Sequence, residues 1–139
     1  MLKIICGEKG KGKTKILLEK ANDEVKTAEG NIVFLDKTNE HMCELVRDIR
    51  LINVKDFFID SFEQFIGFIC GIISQDNDLE TLYLDNFLKL TCGNKYSLIE
   101  YFGNLDKIAS KWNLDIIVSI SVNQTEIPDE FQKDIIVAL

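Results

Sequence analysis

Apolar residues recur along this chain in two alternating patterns, short unbroken runs and longer stretches with helical spacing. Leu2-Lys3-Ile4-Ile5-Cys6 is the first run. From Lys13 onward Leu17, Ala21, Val25 and Ala28 fall on one helical face, with Gly30 as the expected stop. Asn31-Ile32-Val33-Phe34-Leu35-Asp36 is apolar until its final carboxylate. A second helix is expected from Thr38 or Asn39, its inner stripe made of Met42, Leu45, Val46 and Ile49, with a short strand over 50–54.

Ser61-Phe62-Glu63-Gln64 has the form of a capping box and opens a helix with Phe62, Phe65, Ile66, Ile69, Ile72 and Ile73 on a broad face. Gly67 and Gly71, four apart, predict close packing of that helix on a sheet. Thr81-Leu82-Tyr83-Leu84-Asp85 is a further strand ending in a carboxylate. Ser97 and Glu100 suggest a second capping box, for a helix carrying Leu98, Tyr101, Leu105, Ile108 and Trp112. Residues 115–121 form the next strand. After Pro128 a helical turn leads to a last strand over 135–139.

Uniformly apolar strands alternating with helices imply a mostly parallel sheet covered on both faces. The expectation is a three-layer α/β/α sandwich of five or six strands, formed by residues 1–139 as one domain.

The strongest chemical signal lies between the first strand and the first helix. Gly7-Glu8-Lys9-Gly10-Lys11-Gly12-Lys13-Thr14 fits G-x-x-x-x-G-K-[ST]. Glycines let consecutive N–H groups turn toward one anion, and the following helix adds the positive end of its dipole. In that role Lys13 balances the β- and γ-phosphates of a nucleoside triphosphate, and the Thr14 hydroxyl ligates Mg²⁺. Lys9, Lys11 and Lys15 alternate with Lys13 and make the loop a positive spot. The expected binding set is therefore Gly7, Glu8, Lys9, Gly10, Lys11, Gly12, Lys13, Thr14 and Lys15.

Such a site also needs a strand-end aspartate near the metal. Asp85 is preferred to Asp36, because a metal-binding Asp36 would be expected in an Asp-x-x-Gly context and the chain reads Asp36-Lys37-Thr38-Asn39. Lys13, Asp36 and Asp85 are the candidate catalytic residues, with Thr14 and Asp85 on the metal. Asn86 stands where many ATPases carry a glutamate, which leaves Asp36, Glu40 or Glu63 to orient a water, Asp36 foremost. Ser119, Ser121 and Asn123 offer hydroxyl and amide groups for sensing the γ-phosphate. His41, the single histidine, is expected on the surface of the second helix. Arg47 and Arg50 are expected to ion-pair on that helix, with a role in a neighbouring subunit's site as the alternative.

The Gly7–Thr14 loop, the Leu82–Asp85 strand and the polar-tipped 116–121 strand together resemble P-loop NTPases of the RecA-like group. The chain is also similar to short bacterial P-loop proteins sometimes labelled as twitching-motility retraction ATPases. The resemblance implies a parallel sheet in which the polar-tipped strand separates the metal-binding strand from the loop strand. It also implies an Mg²⁺-dependent ATP-binding protein, a slow ATPase acting as a switch or as a subunit of a homo-oligomer or other assembly. An interaction module that binds nucleotide without hydrolysis, and a small-molecule or nucleoside kinase, remain alternatives. The absence of Asn-Lys-x-Asp disfavours GTP.

Composition narrows the picture. A net charge of −7, spread along the chain, disfavours a nucleic-acid partner. Four cysteines without a CxxC pair disfavour a metal-thiolate site or a disulfide framework. No leader-like segment is recognisable and no run approaches the ~20 apolar residues of a membrane span. A cytoplasmic location is the expectation.

Overall fold

The computed structural model describes all residues from Met1 to Leu139. Six strands form one all-parallel sheet: β1 (Leu2–Cys6), β2 (Asn31–Asp36), β3 (Ile49–Asn53), β4 (Leu79–Leu84), β5 (Asp115–Ile120) and β6 (Ile135–Ala138). Their order is β3-β2-β4-β5-β1-β6. Four α-helices accompany them: α1 (Lys13–Glu24), α2 (Phe62–Gln75), α3 (Phe87–Thr91) and α4 (Leu98–Trp112).

The uninterrupted apolar runs are explained by the two faces of this sheet. Successive strand side chains point to opposite sides, so Ile4, Val33, Leu35, Leu82, Leu84, Ile116 and Val118 pack in a large core with α2, α3 and α4. Their neighbours Ile5, Ile32, Phe34, Tyr83 and Ile117 pack on the opposite side with Leu17, Leu18 and Ala21 of α1. The sandwich has three layers and is lopsided, with one α-helix on one face and three on the other.

The thin face results from a departure from the sequence pattern. No α-helix forms between β2 and β3; the segment holds only a 3₁₀ turn at Met42–Glu44. Met42 and Val46 are exposed rather than on an inner stripe. Ile49, expected on that helix, is the first residue of β3 and pairs with Ile32. A parallel connection needs about a dozen residues to return to the start of the sheet. A helix running through Ile49 would use up the residues that must make that return.

Other boundaries shift for similar reasons. Helix α1 stops at Glu24, with Val25 and Ala28 packing beyond its end. Gly30 is not the helix stop; a Cβ there would lie 2.3 Å from the Asp78 carbonyl oxygen, which accepts the neighbouring Asn31 amide at 2.7 Å. Gly67 and Gly71 are exposed, with nothing within 4 Å of a Cβ built on either, so they are not packed tightly on the sheet. Ser61 caps α2 by accepting the Gln64 amide at 3.2 Å, whereas the Gln64 side chain accepts from Asp60, one residue before the cap. Ser97 makes no capping bond to α4. A 3₁₀ turn at Lys95–Ser97 precedes that helix, and Asn94 caps the turn through the Tyr96 amide. Trp112, expected to continue the buried face of α4, is exposed.

Candidate functional site

The site is built where the C-terminal ends of β1, β4 and β5 meet the start of α1. Topology brings them together: β5 lies between β1 and β4. The loop leaving β1, the carboxylate after β4 and the hydroxyl on β5 therefore converge. Crevices beyond the carboxyl ends of parallel strands are the usual binding positions in open α/β sheets.

Gly12 precedes α1 with φ of 92°, a left-handed conformation that costs little only for glycine, and no side chain caps the helix. The first amides of α1 therefore lack a side-chain acceptor. Lys13 is buried, 7% exposed, and its ammonium donates to the Glu8 carbonyl at 2.9 Å. It has no carboxylate within ion-pair distance. Burial pushes the Lys13 ammonium below its ordinary value, partly opposed by the charge of Asp85.

Asp85 follows β4 and is 3% exposed. The Thr14 hydroxyl donates to its two oxygens at 3.1 and 3.0 Å, and the Ser119 hydroxyl donates to Oδ1 at 2.7 Å. Ser119 in turn accepts the Asn86 amide at 2.8 Å. Asn86 turns the chain from β4 into α3 with a φ of 55°, a conformation asparagine tolerates better than most side chains. Thr14, Asp85, Ser119 and Asn86 are thus one connected polar network joining α1, β4 and β5.

A cavity of about 250 Å³ opens in front of this network, lined by Lys9, Gly10, Gly12, Lys13, Thr14, Asn86, Ser119 and Ser121. No apolar side chain and no carboxylate is among them. Gly7, Glu8, Lys11 and Lys15 of the expected set are not part of its wall. Glu8 contributes its carbonyl to Lys13, and Lys11 and Lys15 are exposed. A larger groove of about 750 Å³ lies away from this loop, between the β2–β3 edge and α2, and includes Arg50, Asp48, Phe57 and Phe68.

Asp36 ends β2, which the sheet places beside β4 and not beside β1. It is 4% exposed; Oδ1 accepts the Lys37 amide at 2.7 Å and Oδ2 is buried with no partner. Burial, with a contribution from the Asp85 charge, raises the Asp36 carboxyl to about 6. His41 is not on a helix; it sits at the start of the Met42–Glu44 turn, and one ligand atom from each of Asp36, His41 and Asp85 lies within 4.8 Å of the others. The closeness of His41 to Asp36 and Asp85 is the feature sequence reasoning missed. The available signal was a lone histidine five positions after a strand-end aspartate, too common an arrangement to be read without the fold.

The remaining candidates are elsewhere. Glu40 and Glu63 are exposed, and neither lines the cavity. Asn123 is committed to its own turn, accepting from Thr125 while Glu126 returns to its amide. Arg47 lies in the turn before β3 and Arg50 on that edge strand, and neither forms an ion pair, contrary to the helical pairing expected of them. Comparison with protein-family models and with curated proteins finds no match for this chain. No helix is long and apolar enough to cross a membrane.

Proposed function

We propose that this chain is an Mg²⁺-dependent ATP-binding protein of the RecA-like P-loop type, with slow hydrolysis serving a switch or subunit role. The observation that carries the reading is the buried Lys13 ammonium. It has only a neutral carbonyl for company, at an uncapped helix start, on the wall of an entirely polar cavity. A desolvated cation without a direct ion-pair partner is costly, and a phosphate oxygen in that cavity would supply one. The position of β5 between β1 and β4 supports the same reading, because it brings Thr14 and Asp85 into contact.

Thr14 and Asp85 offer hard oxygen donors, the chemistry Mg²⁺ requires, and these two residues would hold it. When bound, the ion would neutralise charge on the phosphates. Lys13 would pair with the β- and γ-phosphates, the α1 amides would take phosphate oxygens, and Ser119 would keep Asp85 oriented. Binding Mg·ATP at a hundredfold excess over Kd should raise stability by about 2.7 kcal/mol. Lys13→Ala should weaken nucleotide binding at least tenfold, or about 1.4 kcal/mol, in calorimetric titration. Equal affinity of the variant and the wild type would remove the basis of the reading.

Binding without turnover is a second reading with its own support: Asn86 follows Asp85, and no carboxylate stands on the cavity wall to orient a water. Phosphate release measured at saturating Mg·ATP separates the two, since a pure interaction module would bind and release none.

A further inference from the structure

We infer that Asp36, His41 and Asp85 form a binding site for a divalent transition-metal ion, one that accepts an imidazole nitrogen together with carboxylate oxygens. The inference does not require the nucleotide reading, although Asp85 belongs to both sites.

Three features carry it. One ligand atom from each of the three side chains lies within 4.8 Å of the other two, a separation that small adjustments of the side chains around a shared ion would close. Asp36 is 4% exposed and its Oδ2 has no hydrogen-bond partner, so a buried acceptor in this cluster is left unsatisfied. Such a group costs free energy until a donor or a cation meets it.

The third feature is the orientation of His41. Its Nδ1 is 2.5 Å from the Glu44 carboxylate, which leaves Nε2 as the free ring donor. A carboxylate behind the imidazole is the usual support of a metal-ligating histidine, because it holds the ring and raises its basicity. The 3₁₀ turn at Met42–Glu44 places His41 and Glu44 three residues apart on one side.

The donor set selects the ion. Carboxylates alone would suit Mg²⁺ or Ca²⁺, whereas an imidazole nitrogen added to two carboxylates favours Mn²⁺, Fe²⁺, Co²⁺ or Zn²⁺. This separates the site from the Thr14–Asp85 pair, which presents oxygen only.

The test uses the full chain, stripped of metal by a chelator and free of nucleotide, titrated with Mn²⁺, Zn²⁺ and Mg²⁺ alone. One Mn²⁺ or Zn²⁺ should bind per chain, at least about tenfold more tightly than Mg²⁺. Pulsed electron paramagnetic resonance of the bound Mn²⁺ should show coupling to a histidine ¹⁴N. His41→Ala, a change in a surface turn, should abolish that coupling and bring Mn²⁺ affinity to within about threefold of Mg²⁺ affinity. Lys13→Ala should leave both properties intact, so loss of nucleotide binding and loss of metal binding are read apart. Equal Mn²⁺ and Mg²⁺ affinities in the wild type, absence of nitrogen coupling, or unchanged Mn²⁺ binding in His41→Ala would each overturn the assignment.

Discussion

Asp36 shows how one residue can be visible in a sequence while its surroundings are not. A carboxylate closing an apolar run is expected at an exposed strand end. Here β2 lies inside the sheet, so the group is buried beside Asp85 and its carboxyl is raised to about 6. A folded-state value above the unfolded one means that the group's contribution to stability is complete below the unfolded value, near 3.8, and is lost as pH rises through 6. Asp36→Asn should therefore stabilise the metal-free protein by roughly 1–3 kcal/mol at pH 7.5. That gain should vanish near pH 4. Urea unfolding in the presence of a chelator at the two pH values checks it, and equal gains at both would contradict the burial argument. His41 was less legible still. Its partners come from β2 and the end of β4, and only strand order makes them neighbours.

Between elements, local signals succeeded where the signal and its target share a few residues of chain. Ser61 does cap α2 through the Gln64 amide. Ser97 carries the same type of signal, but the preceding 3₁₀ turn and the Asn94 cap take over its place, and it caps nothing. The two serines should respond differently to alanine in thermal unfolding: Ser61→Ala should cost about 1 kcal/mol, and Ser97→Ala no more than about 0.5 kcal/mol. A similar cost for both would mean that the second cap forms in solution. The absent helix between β2 and β3 follows the same logic from the other side. Met42, Leu45, Val46 and Ile49 have helical spacing, yet Ile49 gains more by pairing with Ile32 in the sheet than by extending a short helix.

Across the whole molecule, the larger core holds the layers in register while the site sits on the rim of the sheet. Phe102 of α4 is fully buried and meets Phe87 of α3 and Phe131 of the turn before β6, with ring centroids 5.9 and 5.5 Å away. Phe102→Ala should cost about 3–5 kcal/mol in chemical denaturation. A loss below about 1 kcal/mol would mean that the core refills the space. The α/β class, all six strands to within a residue or two, and the glycine-rich loop before α1 were all determined by the sequence, because alternating periodicity and glycine spacing act over a few residues. The order of the strands, the junction of Thr14, Asp85 and Ser119, and the meeting of Asp36 with His41 were decided only by tertiary structure. Each depends on residues far apart in the chain, whose proximity comes from burying both faces of one sheet and leaves no mark on local pattern.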